Sequence, residues 1–427
     1  MRSSNQKGDK KIHWRILFLM LYLTAVFILQ KVLTNYLYNP SLTYLISMNE
    51  NKTFSQGIFN FFTVITYATT ITPYLILLAV VYTFTNIYKS FILLMVVLNT
   101  YLFGGLIKLI LAEPRPFFEN EIITNHDYSC SIGYGNPSGH STSGTAFYLA
   151  LWHIIFESSK LKEKKIIKYS SLAFICLLLL IIFFGRFLSG TNSLDQLIFG
   201  LMIGLGIYLC IFHVLCVNVN DGAQFFTFMN VRNLIFFTVN FLIFCAALLV
   251  YIFVPSNKEQ DKWLDTIKQN SNVKCLEAIE SKNVFQQEGF LMIGIFLSNF
   301  GAFLGLKLEY YFSFNTNFSN WNQYNFEKIE KIEDSLLSKI SDTEMQWNHT
   351  SIFKSIIRLI LVLVLSSIIL MPFFLVSSNQ NVTIVFILKF FLPIGLVAFS
   401  MFYLFKIIIN KFKLDNPSVF NLMNESV

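Results

Sequence analysis

Residues 177–204 read "LLLLIIFFGRFLSGTNSLDQLIFGLMIG". Two apolar runs meet at a short polar turn that carries Arg186, Asn192, Asp195 and Gln196. A run of about 20 apolar residues crosses the hydrocarbon core of a bilayer as a helix, because only an internally hydrogen-bonded backbone is tolerated there. The stretch therefore predicts a helical hairpin whose turn lies at a membrane boundary. Working outward, comparable runs recur near 15–35, 59–84, 90–112, 140–157, 169–188, 194–216, 231–254, 288–306, 354–376 and 383–408. The pattern predicts an all-α polytopic membrane protein of about ten transmembrane helices. A composition of 54% hydrophobic and 13% charged residues over 427 positions excludes an ordinary soluble domain.

The formal charge of +7 raises the question of nucleic acid. Lysine and arginine sit in short segments between apolar runs and form no basic domain, so no nucleic-acid partner is expected. Cytoplasmic loops of membrane proteins carry such an excess. That bias puts "MRSSNQKGDKKIHWR" (1–15), "KLKEKKIIK" (160–168), the segment 307–353 and "KIIINKFK" (406–413) in the cytoplasm. Loops 113–139, 186–195, 255–287 and "SSNQN" (377–381) then face the lumen or the exterior, in the endoplasmic reticulum, another endomembrane or the plasma membrane. The basic N-terminus precedes a run too long for a signal peptide and without a clear cleavage site, and is read as a retained first span.

Three regions are expected: 1–58, the N-terminal span and outer loop; 59–216, a helical core; and 217–427, further membrane helices with polar segments outside (255–287) and inside (307–353). Within the inner segment, "EKIEKIEDSLLSKI" (327–340) aligns its apolar residues on one helical face. It reads either as a protein-partner or interfacial helix or as a solvated linker. Cys176, Cys210, Cys216 and Cys245 lie in apolar runs, and no CxxC or metal-ligand spacing occurs, so no metal or redox cofactor is expected. Cys130 and Cys275 fall in the two large outer loops and are candidates for a disulfide in an oxidising compartment. The glycosylation sequon at Asn51 is expected outside, and those at Asn317, Asn348 and Asn424 inside.

Three polar clusters share the outer side. "KLILAEPRP" (108–116) puts Lys108 and Arg115 two helical turns apart at the end of a span. Taken alone, it reads equally as two cations snorkelling to the headgroups. "GNPSGHSTSG" (135–144) opens the next span: Ser138 can cap it, Gly139 admits a close ligand, and His140 in the first turn can donate a proton. Free N–H groups and the positive end of the dipole at such a terminus accept an anion. Taken alone, it is also a capping turn. The third cluster, Arg186 to Gln196, is equally an interfacial turn. Together, Lys108, Arg115 and Arg186 beside a helix N-terminus make a site shaped for a doubly charged phosphate. Each close contact between unit charges there is worth about 4 kcal/mol before desolvation.

In order and spacing, the clusters resemble the three motifs of the type 2 phosphatidic acid phosphatase superfamily, which includes lipid phosphate phosphatases and glucose-6-phosphatase. The similarity covers about 59–216. It implies a six-helix phosphatase-type core followed by C-terminal helices, with an extracytoplasmic site that needs no metal. By this resemblance Lys108, Arg115 and Arg186 hold phosphate oxygens, Ser138 and the Gly139 amide add hydrogen bonds, and His140 protonates the leaving alcohol. The nucleophilic histidine should stand at 192, where the chain has Asn192. Gly185 replaces the motif's serine, and Gln196 stands where the orienting aspartate usually lies, closer to the glucose-6-phosphatase branch.

An amide nitrogen has a delocalised lone pair and cannot attack phosphorus, so phosphohistidine chemistry is expected to collapse. Asp195, one turn away, and His126, in the outer loop, are the two candidate substitutes. Three functions stay open: an active phosphohydrolase, natural or inactivated by substitution; a non-catalytic protein that binds a phosphorylated lipid or a sugar phosphate; and a transporter. Membrane lipids are the expected surroundings, and the position at the membrane edge favours a lipid phosphate as ligand.

Overall fold

A computed structural model of the chain describes residues 2–84, 87–123, 132–157, 164–215, 231–254, 259–270, 284–318, 352–375, 382–412 and 414. Among these, every regular element is helical. Among the described residues, eight helices are long and apolar enough to cross a membrane, and up to nine if Gln56–Thr69 and Ile71–Phe84, bent by 47°, count as one span. This is an all-α membrane protein.

The span expected at 140–157 does not reach the same hydropathy. Helix α6 (Gly139–Glu157, 19 residues) begins with His140, Ser141, Thr142, Ser143 and Thr145, and packs against α7 (Lys165–Leu188) and α8 (Leu194–Leu209). Its polar first turns are enclosed by protein rather than lipid, which is where such groups are tolerated. Gly200 and Gly204 let α8 approach: a Cβ at either would run into the carbonyl of Ser138 or of Thr142. By contrast α7 turns Phe174, Leu177, Leu180 and Phe184 outward as an exposed apolar stripe, the surface a lipid-facing helix presents.

The first helix departs from the expected 15–35. Helix α1 runs over Arg2–Glu50, and its apolar stretch Trp14–Glu50 is 37 residues long. At 1.5 Å per residue that is about 55 Å, well beyond the ~30 Å of hydrocarbon. The excess is held by packing. Ser41 accepts a hydrogen bond from the Leu194 amide (3.3 Å), and Leu45 and Met48 are buried in a cluster with Phe117, Phe118, Trp263 and Phe285.

That cluster includes part of the polar segment 255–287. Helix α10 (Gln260–Asn270) places Trp263 and Ile267 one turn apart on its buried face, against the short α5 (Pro116–Glu119). Phe118 meets Trp263 and Phe285 at ring-centroid distances of 6.1 and 5.0 Å.

The chain forms two compact units that interleave in sequence. One comprises Met1–Tyr74, Asn99–Val214 and Val239–Gly294; the other comprises Leu75–Leu98, Leu215–Thr238 and Ile295–Val427. The first unit holds the three motifs together with 239–294. In the second, α12 (Phe296–Phe318) and α15 (Leu392–Phe402) touch closely, since a Cβ on Gly301 would collide with the Gly395 carbonyl. The helix expected at 327–340, the Cys130–Cys275 pair and His126 lie outside the described residues.

Candidate functional site

Five helix ends supply the polar cluster. Lys108 lies in the last turn of α4 (Ile87–Leu111), and Arg115 is the N-cap of α5. Gly139 opens α6, Arg186 lies in the last turn of α7, and Ser193 caps α8. The cations are almost wholly buried, at 2% exposure for Lys108 and Arg115 and 3% for Arg186. Buried charges persist only with partners.

The backbone ties the motifs to one another. Arg115 donates from Nε to the Gly133 carbonyl (2.6 Å) and from a terminal nitrogen to the Thr191 carbonyl (3.3 Å). Gln196 donates to the Pro114 carbonyl (2.7 Å), and the Ser138 amide donates to the Gln196 carbonyl (3.1 Å). Asn136 donates to the Glu113 carboxylate (2.6 Å). The first, second and third motifs thus form one hydrogen-bonded body.

At its centre is Asn192, 1% exposed. Its amide nitrogen donates to the Gly135 carbonyl (2.9 Å) and to the Gln196 side-chain oxygen (3.3 Å). Its oxygen accepts from Ser138 Oγ and from Arg186 Nε, both at 3.4 Å. Both ends of the amide are engaged, so its orientation is fixed. The Ser138 hydroxyl, expected to cap α6, is directed at Asn192 instead.

Asp195 does not join this group. Its two oxygens accept from Ser193 Oγ (2.5 Å) and Thr34 Oγ1 (3.2 Å), which fastens α8 to α1. As a substitute nucleophile it therefore has its carboxylate committed elsewhere. His140 is half-buried with Nδ1 3.0 Å from Thr69 Oγ1, which sets the plane of the imidazole. Outside its own helix and its chain neighbours, a Cβ at Gly139 would meet only the Met292 methyl, at an ordinary contact distance of 3.9 Å.

Sequence reasoning missed Glu288, on α11 (Val284–Ile293). Its carboxylate pairs with Lys108 Nζ (2.9 Å) through one oxygen and with Arg115 (3.2 Å) through the other, which also accepts from the Gly133 amide (2.9 Å). Lys108 further donates to the Tyr134 carbonyl (3.1 Å), and the charges of Arg115 and Arg186 both bear on its ammonium. Burial pushes the Tyr134 phenol above its usual range, and this neutral oxygen accepts from Gln260 (2.8 Å). Helix α11 reaches this position by backbone contact with α4: a Cβ at Gly105 would lie 2.8 Å from the Gly289 carbonyl. The available signal was an acidic residue beside a glycine at the start of an apolar run, a position where a charge needs a partner. Among the described residues no cluster of metal-ligand type occurs.

The family model for the PAP2 superfamily matches residues 89–219, which contain all three motifs and exclude Glu288. No curated protein and no solved structure matches the chain. The match supports the resemblance at the level of the superfamily.

Proposed function

We propose that this integral-membrane protein binds a phosphomonoester at an extracytoplasmic site and does not hydrolyse it. Lys108, Arg115 and Arg186 hold the phosphate oxygens, Ser138 and the Gly139 amide complete the cradle, and His140 faces the ester oxygen. The observation that carries the reading is Asn192, whose amide is held at both ends, at the position that the resemblance assigns to the nucleophile. Loss of a nucleophile costs an enzyme on the order of 10⁶ in turnover, as in the subtilisin triad. Binding does not need that group.

The favoured ligand is a lipid phosphate. The polar cluster is built from the ends of membrane helices, so a headgroup can reach it while its acyl chains remain in the bilayer. Positive charge in the segments assigned to the cytoplasm supports the placement of these ends on the opposite side. The protein would then act as a receptor, regulator or scaffold for phosphorylated lipid.

The test uses the full-length protein in detergent micelles with short-chain phosphatidic acid and, separately, glucose 6-phosphate. Native protein is expected to bind the lipid phosphate without liberating phosphate, Asn192→His to gain phosphate release, and Arg186→Gln to lose binding. Phosphate release by the native chain at the rate of Asn192→His would overturn the loss of catalysis. Absence of binding to either ester would overturn the site itself.

A further inference from the structure

We propose that Glu288 is a tethered occupant of the phosphate site, which an incoming phosphate must displace and which thereby selects dianionic monoesters over monoanionic diesters. The inference rests on the phosphate-binding reading above and adds how that site is controlled.

Three observations carry it. The Glu288 carboxylate takes donors from Lys108, Arg115 and the Gly133 amide, the same kind of donors that two oxygens of a phosphate would take. The approach is sterically prepared, because a Cβ at Gly133 would overlap the Glu288 carboxylate and its Cβ. The Gly105–Gly289 contact then fixes the backbone that presents the side chain. Finally, the Glu288 side chain is 27% exposed while those of Lys108 and Arg115 are 2% and 3% exposed. Of these three side chains, that of Glu288 is the one with an open side, so it can turn away while the cations stay in place.

The charge arithmetic gives the selectivity. A tethered group competes at an effective concentration in the millimolar range or above without leaving the protein. A free monoanion offers the cations no more charge than Glu288 already does, and is excluded. A phosphomonoester dianion offers twice that charge and a third oxygen for Arg186, and so can displace the carboxylate.

The experiment is equilibrium binding of inorganic phosphate and of dimethyl phosphate to the full-length protein in micelles, comparing the native chain with Glu288→Gln, Gly133→Ala and Arg186→Gln. The native chain is expected to bind phosphate and reject dimethyl phosphate. Glu288→Gln is expected to bind phosphate at least about tenfold more tightly and to accept dimethyl phosphate. Gly133→Ala, which pushes the carboxylate out without removing its charge, shifts both affinities in the same direction. Should Glu288→Gln fail to fold, Gly133→Ala and Glu288→Asp carry the comparison. Unchanged affinity in these variants, with binding lost in Arg186→Gln, overturns the occupant role and leaves the phosphate site standing. No phosphate binding by any form overturns both.

Discussion

At the scale of single residues, the cluster is decided by what partners each buried charge. Removing Glu288 takes away the carboxylate that pairs with both Lys108 and Arg115, each 2% exposed, a loss that costs about 3–5 kcal/mol in comparable buried pairs. Glu288→Ala is therefore expected to unfold at a distinctly lower temperature than the native chain, and added inorganic phosphate to restore much of the loss. Thermal denaturation with and without phosphate checks this. Asp195 behaves differently because its bonds run to Ser193 and Thr34. Asp195→Ala should cost about 1–3 kcal/mol by denaturant titration, with phosphate affinity unchanged. Much of this scale was legible beforehand: Lys108, Arg115, Ser138, His140, Arg186 and Asn192 stand at fixed spacing within about 90 residues. Glu288 was not, because it lies 180 residues beyond its lysine partner and an acid at the start of an apolar run also reads as a solvated flank. The role of Asp195 was hidden too, since only the path of α1 brings Thr34 to it.

At the scale of elements, helix existence followed from apolar run length, while helix ends and enclosure did not. The polar first turns of α6 are stable because Gly200 and Gly204 let α8 cover them. Gly204→Leu should destabilise the protein by about 1–3 kcal/mol or more, since its side chain must displace the Thr142 carbonyl; chemical denaturation of the micellar protein measures it. Helix α1 runs past its expected end because Leu45 and Met48 are buried there in an apolar cluster. That cluster is completed by Trp263, 2% exposed on a helix whose sequence, "QDKWLDTIKQN", is mostly polar. A single tryptophan and isoleucine at helical spacing give a weak periodic signal, so the packing of α10 on α5 could not be read from the chain. Trp263→Ala is expected to cost about 3–5 kcal/mol.

At the scale of the molecule, charge bias and contacts agree on which helix ends lie together. Lys108, Arg115, Ser138, Arg186 and Asn192 come from ends assigned to one side of the membrane, and Glu288 begins a further run assigned to that same side. Thr34 reaches Asp195 at that level, and Asn51, the residue after α1, lies 17 residues further on, about 25 Å away at the helical rise. Glycosylation at Asn51 and none at Asn317, Asn348 or Asn424 is the expected pattern, read by mobility shift of single-sequon variants. The grouping of 239–294 with the motif-bearing residues was not visible in the sequence, because helix partners so far apart leave no local periodicity. The most direct measurement of the central claim is a phosphorus NMR titration of short-chain phosphatidic acid with the native protein. The account predicts a saturable shift or broadening of the ester resonance and no growth of an inorganic phosphate resonance. A growing inorganic phosphate signal, or an ester resonance indifferent to the protein, would contradict it.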